Sequence, residues 1–302
     1  MHPPPLPFAD WMKAIAAQVE QSLEQFLPNS QVTPASLHEA MRYATLDGGK
    51  RVRPLLVYAA GQLFDADQDA LARAACAVEM IHAYSLVHDD MPCMDDDALR
   101  RGKPTVHVKY GEANALLVGD ALQAQAFILL SQGSAALEQP ARALQRVQVL
   151  AQAAGSVGMC GGQAIDLASV GKSLSLDELE QMHRLKTGAI LQAAVILGAL
   201  CGKQDLQEGD MASLQAYAKA VGLAFQVVDD VLDATADSAT LGKTAGKDAM
   251  DNKPTYVSIL GLEPSWDLAL QLQQDAHAAL LPFGEKAQRL RELADLVVQR
   301  KA

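Results

Sequence analysis

The densest chemistry in this chain lies in ten residues, His88-Asp89-Asp90-Met91-Pro92-Cys93-Met94-Asp95-Asp96-Asp97. Five carboxylates this close repel one another unless they are solvated, paired or bound to cations. Pro92 removes a backbone donor and disfavours helix at Met91, so an incoming helix must end here. Asp89 and Asp95 are six residues apart, the wrong spacing for one helix face, and the proline-containing bend has to bring them together. A solvated acidic helix end is the ordinary explanation of such a cluster. Acidic residues at a helix C-terminus oppose the macrodipole, however, and the preceding stretch, CAVEMIHAYSLV, is largely uncharged. The balance favours a hard cation held by carboxylate oxygen, with the solvated end left open.

A second cluster, Phe225-Gln226-Val227-Val228-Asp229-Asp230-Val231-Leu232-Asp233, follows about 140 residues later. Asp229 and Asp233 stand at i and i+4 and share a helix face. The valines and leucine between them face packed core, where uncompensated charge is costly and a bound Mg²⁺ would relieve it. Pairing with Lys or Arg is the competing explanation. Because Mg²⁺ prefers few carboxylates plus substrate phosphates, two such clusters point to a diphosphate held by metal between two helices.

Cations flank both clusters. Gly48-Gly49-Lys50-Arg51-Val52-Arg53-Pro54 sets three beside a glycine turn, Arg100-Arg101-Gly102-Lys103 follows the first cluster, and Lys243, Lys247 and Lys253 follow the second. Each alone is more often solvated surface than site; their repeated placement is the informative part. His82, seven residues before Asp89, falls nearly in line with it on a helix.

The elements that must position these groups are helical. Half of the 302 residues are hydrophobic, only 5% are aromatic, and alanine and leucine dominate. Helical spacing predicts helices over 9–27, 35–47, 52–64, 68–91, 113–132, 139–160, 176–201, 207–234 and 286–301. Strict alternation is absent, so a sheet is not expected. Segments 113–132 and 189–200 are apolar nearly all round and are expected inside a bundle. No low-complexity linker divides the chain, which predicts one domain over 1–302 with residues 1–8 as a flexible lead-in. A net charge of −11 argues against nucleic acid. Cys76, Cys93, Cys160 and Cys201 are widely spaced and read as reduced thiols. The N-terminus shows no apolar signal core, and the strongest apolar run, 189–200, falls short of the ~20 residues that span a bilayer. The expectation is a cytoplasmic protein without stable membrane insertion.

With these residues in view, the chain resembles the trans-prenyl diphosphate synthases, closest to bacterial farnesyl diphosphate synthases. The resemblance rests on GGKRVRP (48–54), EMIHAYSLVHDDMPCMDDDALRRGKPT (79–105), GDALQAQAF (119–127), GMCGGQAIDL (158–167), KTGAILQAA (186–194), FQVVDDVLD (225–233) and LGKTAGKDAMDNKPTY (241–256), in the family's order. It implies an all-α bundle around a central cavity, of the isoprenoid synthase type, usually as a homodimer. It also implies three Mg²⁺ ions bridging the diphosphate, two held by Asp89 and Asp95 with Asp90 and Asp96 adjacent, the third by Asp229 with Asp233 nearby. By the same resemblance Arg100, Lys186, Lys243 and Lys253 contact the allylic diphosphate. Lys50, Arg53, His82 and Arg101 resemble the isopentenyl diphosphate pocket, and Thr187 and Gln226 lie beside the developing allylic cation.

The implied reaction is condensation of isopentenyl diphosphate with dimethylallyl and then geranyl diphosphate, by ionisation, attack of the double bond and proton loss. Product length is implied by Tyr84, five residues before Asp89, with Ser85 beside it. An aromatic there, with two extra residues between the aspartates, resembles farnesyl synthases. Five residues turn a helix by roughly 140°, so helix arithmetic alone does not place Tyr84 on the Asp89 face. The alternatives are a geranylgeranyl or geranyl synthase on the same scaffold, a terpene cyclase, and an inactive regulatory subunit. A cyclase's second motif normally carries Asn and Ser or Thr, unlike Asp229-Asp230-x-x-Asp233, and intact clusters argue against an inactive subunit.

Overall fold

The helix that leads into the first aspartate cluster begins at Asp67, whose carboxylate accepts from the Ala70 amide at 2.9 Å. That bond satisfies one of the donors every helix start leaves open. The helix then runs unbroken from Gln68 to Asp89. In the computed structural model, residues 6–203, 206–235 and 254–300 are described. They are helical almost throughout and group into two compact units.

The first unit, 1–147 with 197–203, contains α1 (Phe8–Phe26), α2 (Ala35–Thr45), α3 (Val52–Gln62), α4 (Gln68–Asp89), α5 (Val106–Tyr110), α6 (Glu112–Leu130), α7 (Ser134–Glu138) and the start of α8 (Pro140–Ala154). Helix α4 is its centre and packs along α3 and α6. Its alanines at 74, 75 and 77 are fully buried, which lets neighbouring helices approach closely. Gly119 does the same from α6. A Cβ there would stand 2.5 Å from the His88 Cε1 and closer still to its Cδ2 and Nε2; the Nε2–H donates to the Leu116 carbonyl at 3.0 Å.

Between α4 and α5 the chain makes a small antiparallel pair, β1 (Leu99–Arg100) with β2 (Lys103–Pro104). The two central residues, Arg101 and Gly102, both have positive φ, 53° and 74°, as the tightest hairpin turns require. This pair, absent from the sequence expectation, orients Arg100 and Arg101.

The second unit, 148–196 with 204–302, contains the rest of α8, α9 (Met159–Ser169), α10 (Leu176–His183), the start of α11 (Ala189–Leu200), α12 (Glu208–Thr235), α13 (Tyr256–Leu260), α14 (Leu262–Ala279) and α15 (Gln288–Gln299). Helices α12 and α14 lie together along their length. Tyr217 on α12 donates to the Leu290 carbonyl of α15 at 2.7 Å inside the core.

Four differences from the expected helices have local causes. The stretch 139–160 breaks after Ala154 at Gly155 and Gly158, and 176–201 is interrupted by a five-residue π turn at Arg184–Gly188. Helix α14 was not expected, although its buried positions Ser265, Ala269, Leu272 and Ala276 recur at helical spacing. Helix α6 is not enclosed by the described residues: Leu116, Leu117 and Ile128 are 49%, 52% and 43% exposed. Helices α4 and α6 are each long and apolar enough to cross a membrane by length and composition, and α4 is mostly buried within the protein. None of the four cysteines is in a disulfide.

Candidate active site

The bend after α4 does what the spacing of the aspartates required. Helix α4 ends at Asp89, and the Asp95 amide donates to the Asp89 carbonyl at 2.8 Å, closing a loop through Pro92. Asp96 takes a positive φ of 50° to leave it. Asp90 turns inward instead. It is 3% exposed and accepts from Arg100 Nε at 3.0 Å, with a second, shorter contact from Arg100 Nη2. Burial works against the Arg100 charge, but the hydrogen bonds and charge of Asp90 outweigh it and hold the guanidinium above its ordinary pKa. Thus Arg100, expected on the allylic diphosphate, is tied to Asp90 in this structure.

The glycine turn before α3 presents the other cations. Arg51 sits at its end with a left-handed φ of 52° and points into the unit. Its guanidinium donates to Glu79 Oε1 and Glu20 Oε2, each at 2.6 Å, and to the Thr45 carbonyl at 2.8 Å. That anchor leaves Lys50 exposed on one side and starts α3 on the other, with Arg53 one residue inside it. Arg101 lies over Gly48 and Gly49: a Cβ on Gly48 would stand 3.3 Å from the Arg101 Cδ and closer to its guanidinium. His82 shares this environment. Burial first, then Arg53, Arg101, Arg100 and Arg51, hold its imidazole pKa well below the ordinary value. The structure therefore brings Arg53, His82 and Arg101 into one electrostatic neighbourhood, in which Glu79 acts on both arginines. Tyr84 is 5% exposed and meets the His88 ring edge-on at 5.8 Å, while Ser85 donates to the His82 carbonyl at 2.8 Å.

In the second unit the π turn carries Lys186 and Thr187. Such widened turns redirect side chains and recur at functional sites. Lys186 Nζ donates to Asp166 Oδ2 at 2.5 Å, and Thr187 Oγ1 donates to Gln226 Oε1 at 3.2 Å. On α12, Asp229 is part-exposed and faces Arg300 at 3.3 Å, Arg300 also donating to the Phe225 carbonyl and covering the Phe225 ring. Asp233, one turn on, is 7% exposed. Lys243, Lys247 and Lys253 lie outside the described residues.

The donor chemistry fits Mg²⁺. Asp89, Asp95, Asp229 and Asp233 offer the hard carboxylate oxygens that this ion prefers. Among the described residues no three of His, Cys, Asp or Glu converge on one point, so a cation there would take its other ligands from phosphate and water, the coordination Mg²⁺ favours.

The polyprenyl synthetase family profile matches residues 34–279. The chain belongs to the polyprenyl synthetase family. It is 47% identical over 296 residues to a farnesyl diphosphate synthase of Escherichia coli (strain K12), covering 97% of this chain and 99% of that protein. It is also 46% identical over 297 residues to geranylgeranyl pyrophosphate synthase 11, chloroplastic, of Arabidopsis thaliana, covering 97% and 82%. Among solved structures, an FPP/GFPP synthase from Zymomonas mobilis superposes with a TM-score of 0.85 at 42% identity, covering 96% of this chain and 98% of that one. The all-helical architecture expected from the sequence is thus that of the isoprenoid synthases.

For a polyprenyl synthetase, sequence reasoning missed several supporting residues. Glu79 is the only acidic residue in CAVEMIHAYSLV, and a lone acid in an apolar helix was a readable sign of a buried partner. Asp166, in an apolar stretch of α9, carried the same signal. Asp230 was legible only as a member of its cluster.

Proposed function

We propose that this chain is a farnesyl diphosphate synthase, joining isopentenyl diphosphate to dimethylallyl diphosphate and then to geranyl diphosphate. The observation that carries the reading is the hydrogen bond from the Asp95 amide to the Asp89 carbonyl, 2.8 Å long. It gathers two carboxylates onto one loop directly after the helix that bears His82 and Tyr84. Bound Mg²⁺, three ions held by Asp89 and Asp95 and by Asp229 with Asp233 nearby, would offset the charge that builds on the departing diphosphate.

The protein's own groups supply the rest. Arg100 and Lys186 add fixed positive charge for the allylic diphosphate, with Lys243 and Lys253 assigned the same role. Lys50, Arg53 and Arg101 hold the isopentenyl diphosphate. A neutral His82 can hydrogen-bond that diphosphate without adding to the crowd of guanidinium charges. Thr187 and Gln226 present oxygen dipoles to the allylic cation as the carbon–oxygen bond breaks. The double bond of isopentenyl diphosphate then attacks, and the proton it sheds goes to the released diphosphate.

Identity leans to the farnesyl reading, with the Escherichia coli farnesyl synthase at 47% and the Arabidopsis thaliana geranylgeranyl synthase at 46%, and Tyr84 carries the product length. The apolar outer stripe of α6, with Leu116, Leu117 and Ile128, supports assembly as a homodimer through that face. We place the enzyme in the cytoplasm. The deciding experiment incubates the purified chain with isopentenyl and dimethylallyl diphosphates and Mg²⁺ and identifies the products. Farnesyl diphosphate is expected; geranylgeranyl diphosphate as the main product would select the longer-chain alternative, and no condensation would end the reading.

A further inference from the structure

Asp230 is the middle carboxylate of the second cluster, and it is occupied differently from its neighbours. It is 4% exposed. Gln226 Nε2 donates to its Oδ1 at 3.1 Å, and the Tyr256 backbone N–H donates to its Oδ2 at 2.8 Å. The other end of the Gln226 amide, Oε1, accepts from Thr187 Oγ1 at 3.2 Å. An amide has one donor end and one acceptor end, whereas an ionised carboxylate only accepts. Asp230 therefore decides which way Gln226 faces: it takes the NH₂ group and leaves the carbonyl oxygen toward Thr187.

The second bond anchors the other side of the same arrangement. The Tyr256 amide belongs to the open first turn of α13, and its donor would be unsatisfied without Asp230. The Tyr256 ring stacks on His183 with centroids 5.6 Å apart, and His183 immediately precedes the π turn that carries Thr187. Contacts thus run from Thr187 through Gln226, Asp230 and Tyr256 to His183, and the backbone from His183 to Thr187 closes the ring.

We infer that Asp230 is a positioning residue and not a metal ligand: it orients the Gln226 amide, and through it the oxygen pair of Gln226 and Thr187. The inference rests on the proposed role of that pair beside the allylic cation.

The test is Asp230→Asn in the full chain, with Gln226→Leu measured beside it. Asparagine keeps the volume and can accept from the Tyr256 amide, but it turns an NH₂ toward Gln226 and forces that amide to flip. The expected kcat loss is roughly ten- to a hundredfold, less than removal of a direct oxyanion donor can cause. The KM for both diphosphates and the Mg²⁺ concentration for half-maximal rate should stay within about twofold, since ground-state binding is untouched. A Mg²⁺ requirement raised about tenfold would mark Asp230 as a ligand and overturn the inference. An unchanged kcat beside a slowed Gln226→Leu would overturn it alone. If Gln226→Leu is equally inert, the proposed role of the oxygen pair fails and this inference with it. Should Asp230→Asn not fold, the wild-type protein decides by hydrogen exchange over residues 255–260 with Mg²⁺ and inorganic diphosphate. Retained protection supports a fixed Asp230–Tyr256 bond, and lost protection shows Asp230 leaving for the metal.

Discussion

Lys186 Nζ reaches Asp166 Oδ2 at 2.5 Å across an approach between α9 and the π turn that only glycine allows. A Cβ on Gly162 would stand 2.5 Å from the Lys186 Cα and closer still to its amide nitrogen. Backbone atoms cannot rotate out of the way, so the two elements would have to part. Gly162→Ala is therefore expected to cost about 1–3 kcal/mol of stability, as overpacking usually does. It should also raise the KM for the allylic diphosphate by moving the Lys186 ammonium. Denaturant unfolding and initial rates measure the two effects. Wild-type values for both would mean that the helix relaxes freely.

The Arg51–Glu79 pair makes a second prediction. Their side chains are 3% and 4% exposed and meet at 2.6 Å. Glu79→Ala leaves the buried Arg51 with only the part-exposed Glu20 and takes a carboxylate from Arg53 and Arg101 as well, so it should lose about 3 kcal/mol. Replacing both with apolar residues of similar size, Arg51→Met with Glu79→Leu, should recover part of that loss, because neither of these two charges then remains to be desolvated and the part-exposed Glu20 can turn to water. Urea titrations of the two variants test the ordering. A double variant as unstable as the single one would refute it.

Much of the scaffold was legible from residue spacing, because helices built from alanine and leucine announce themselves through periodicity. The bend at Pro92 was legible too, since proline acts on the local backbone. The partners of buried charges were not. Arg100 reads as a cation free for substrate, yet a hairpin of positive-φ residues swings it onto Asp90. The π turn at 184–188 inserts its extra residue in RLKTG, where the single glycine, Gly188, does not by itself announce a widened turn. Helix α6 reads as fully enclosed because apolar residues circle it, and periodicity cannot say whether its own chain or a second copy covers the outer face.

Acid should destabilise the protein below the ordinary histidine range. His183 is 8% exposed, neither ring nitrogen has a protein partner among the described residues, and burial lowers its pKa from 6.5 to about 4. Above 6.5 the ring is neutral whether the chain is folded or not, and this contribution is fully present. As pH falls from there toward 4, the unfolded chain takes up a proton that the folded protein refuses, so stability drops. The gap corresponds to about 3 kcal/mol, and His82 shifts the same way. His183→Phe should flatten the dependence of unfolding free energy on pH between about 7 and about 5. An unchanged slope would show that His183 takes up its proton in the folded state.

The carboxylates assigned to metal should separate from those assigned to structure. Asp89→Ala and Asp229→Ala are each expected to lower turnover by about 10²–10³, the loss typical for one electrostatic contact at a charge-developing centre. Helical content should be unchanged, because Asp89 is a part-exposed helix end and Asp229 is part-exposed on α12. Activity that persists in excess chelator would contradict the role given to both.

Tyr84 should set the length of the product. Its side chain is 5% exposed on α4, and its ring stands edge-on to that of His88, which is itself pinned to α6 by the hydrogen bond to the Leu116 carbonyl. A phenol held this way cannot swing aside to admit hydrocarbon. Each further isoprene unit would bring about five carbons, and burial of each contributes ~0.8 kcal/mol, so opening the space favours a longer chain by up to roughly 4 kcal/mol. Truncating a buried aromatic also leaves a cavity, at a cost of about 3–5 kcal/mol to the free enzyme, which a longer prenyl tail would partly refill. Tyr84→Ala should accordingly bind farnesyl diphosphate as an allylic substrate and extend it to geranylgeranyl length or beyond. The Mg²⁺ requirement should not change. Chromatography of the products from both five-carbon substrates gives the answer. A variant that is fully active and still stops at farnesyl diphosphate would place the floor on another residue and remove the main support for the farnesyl assignment.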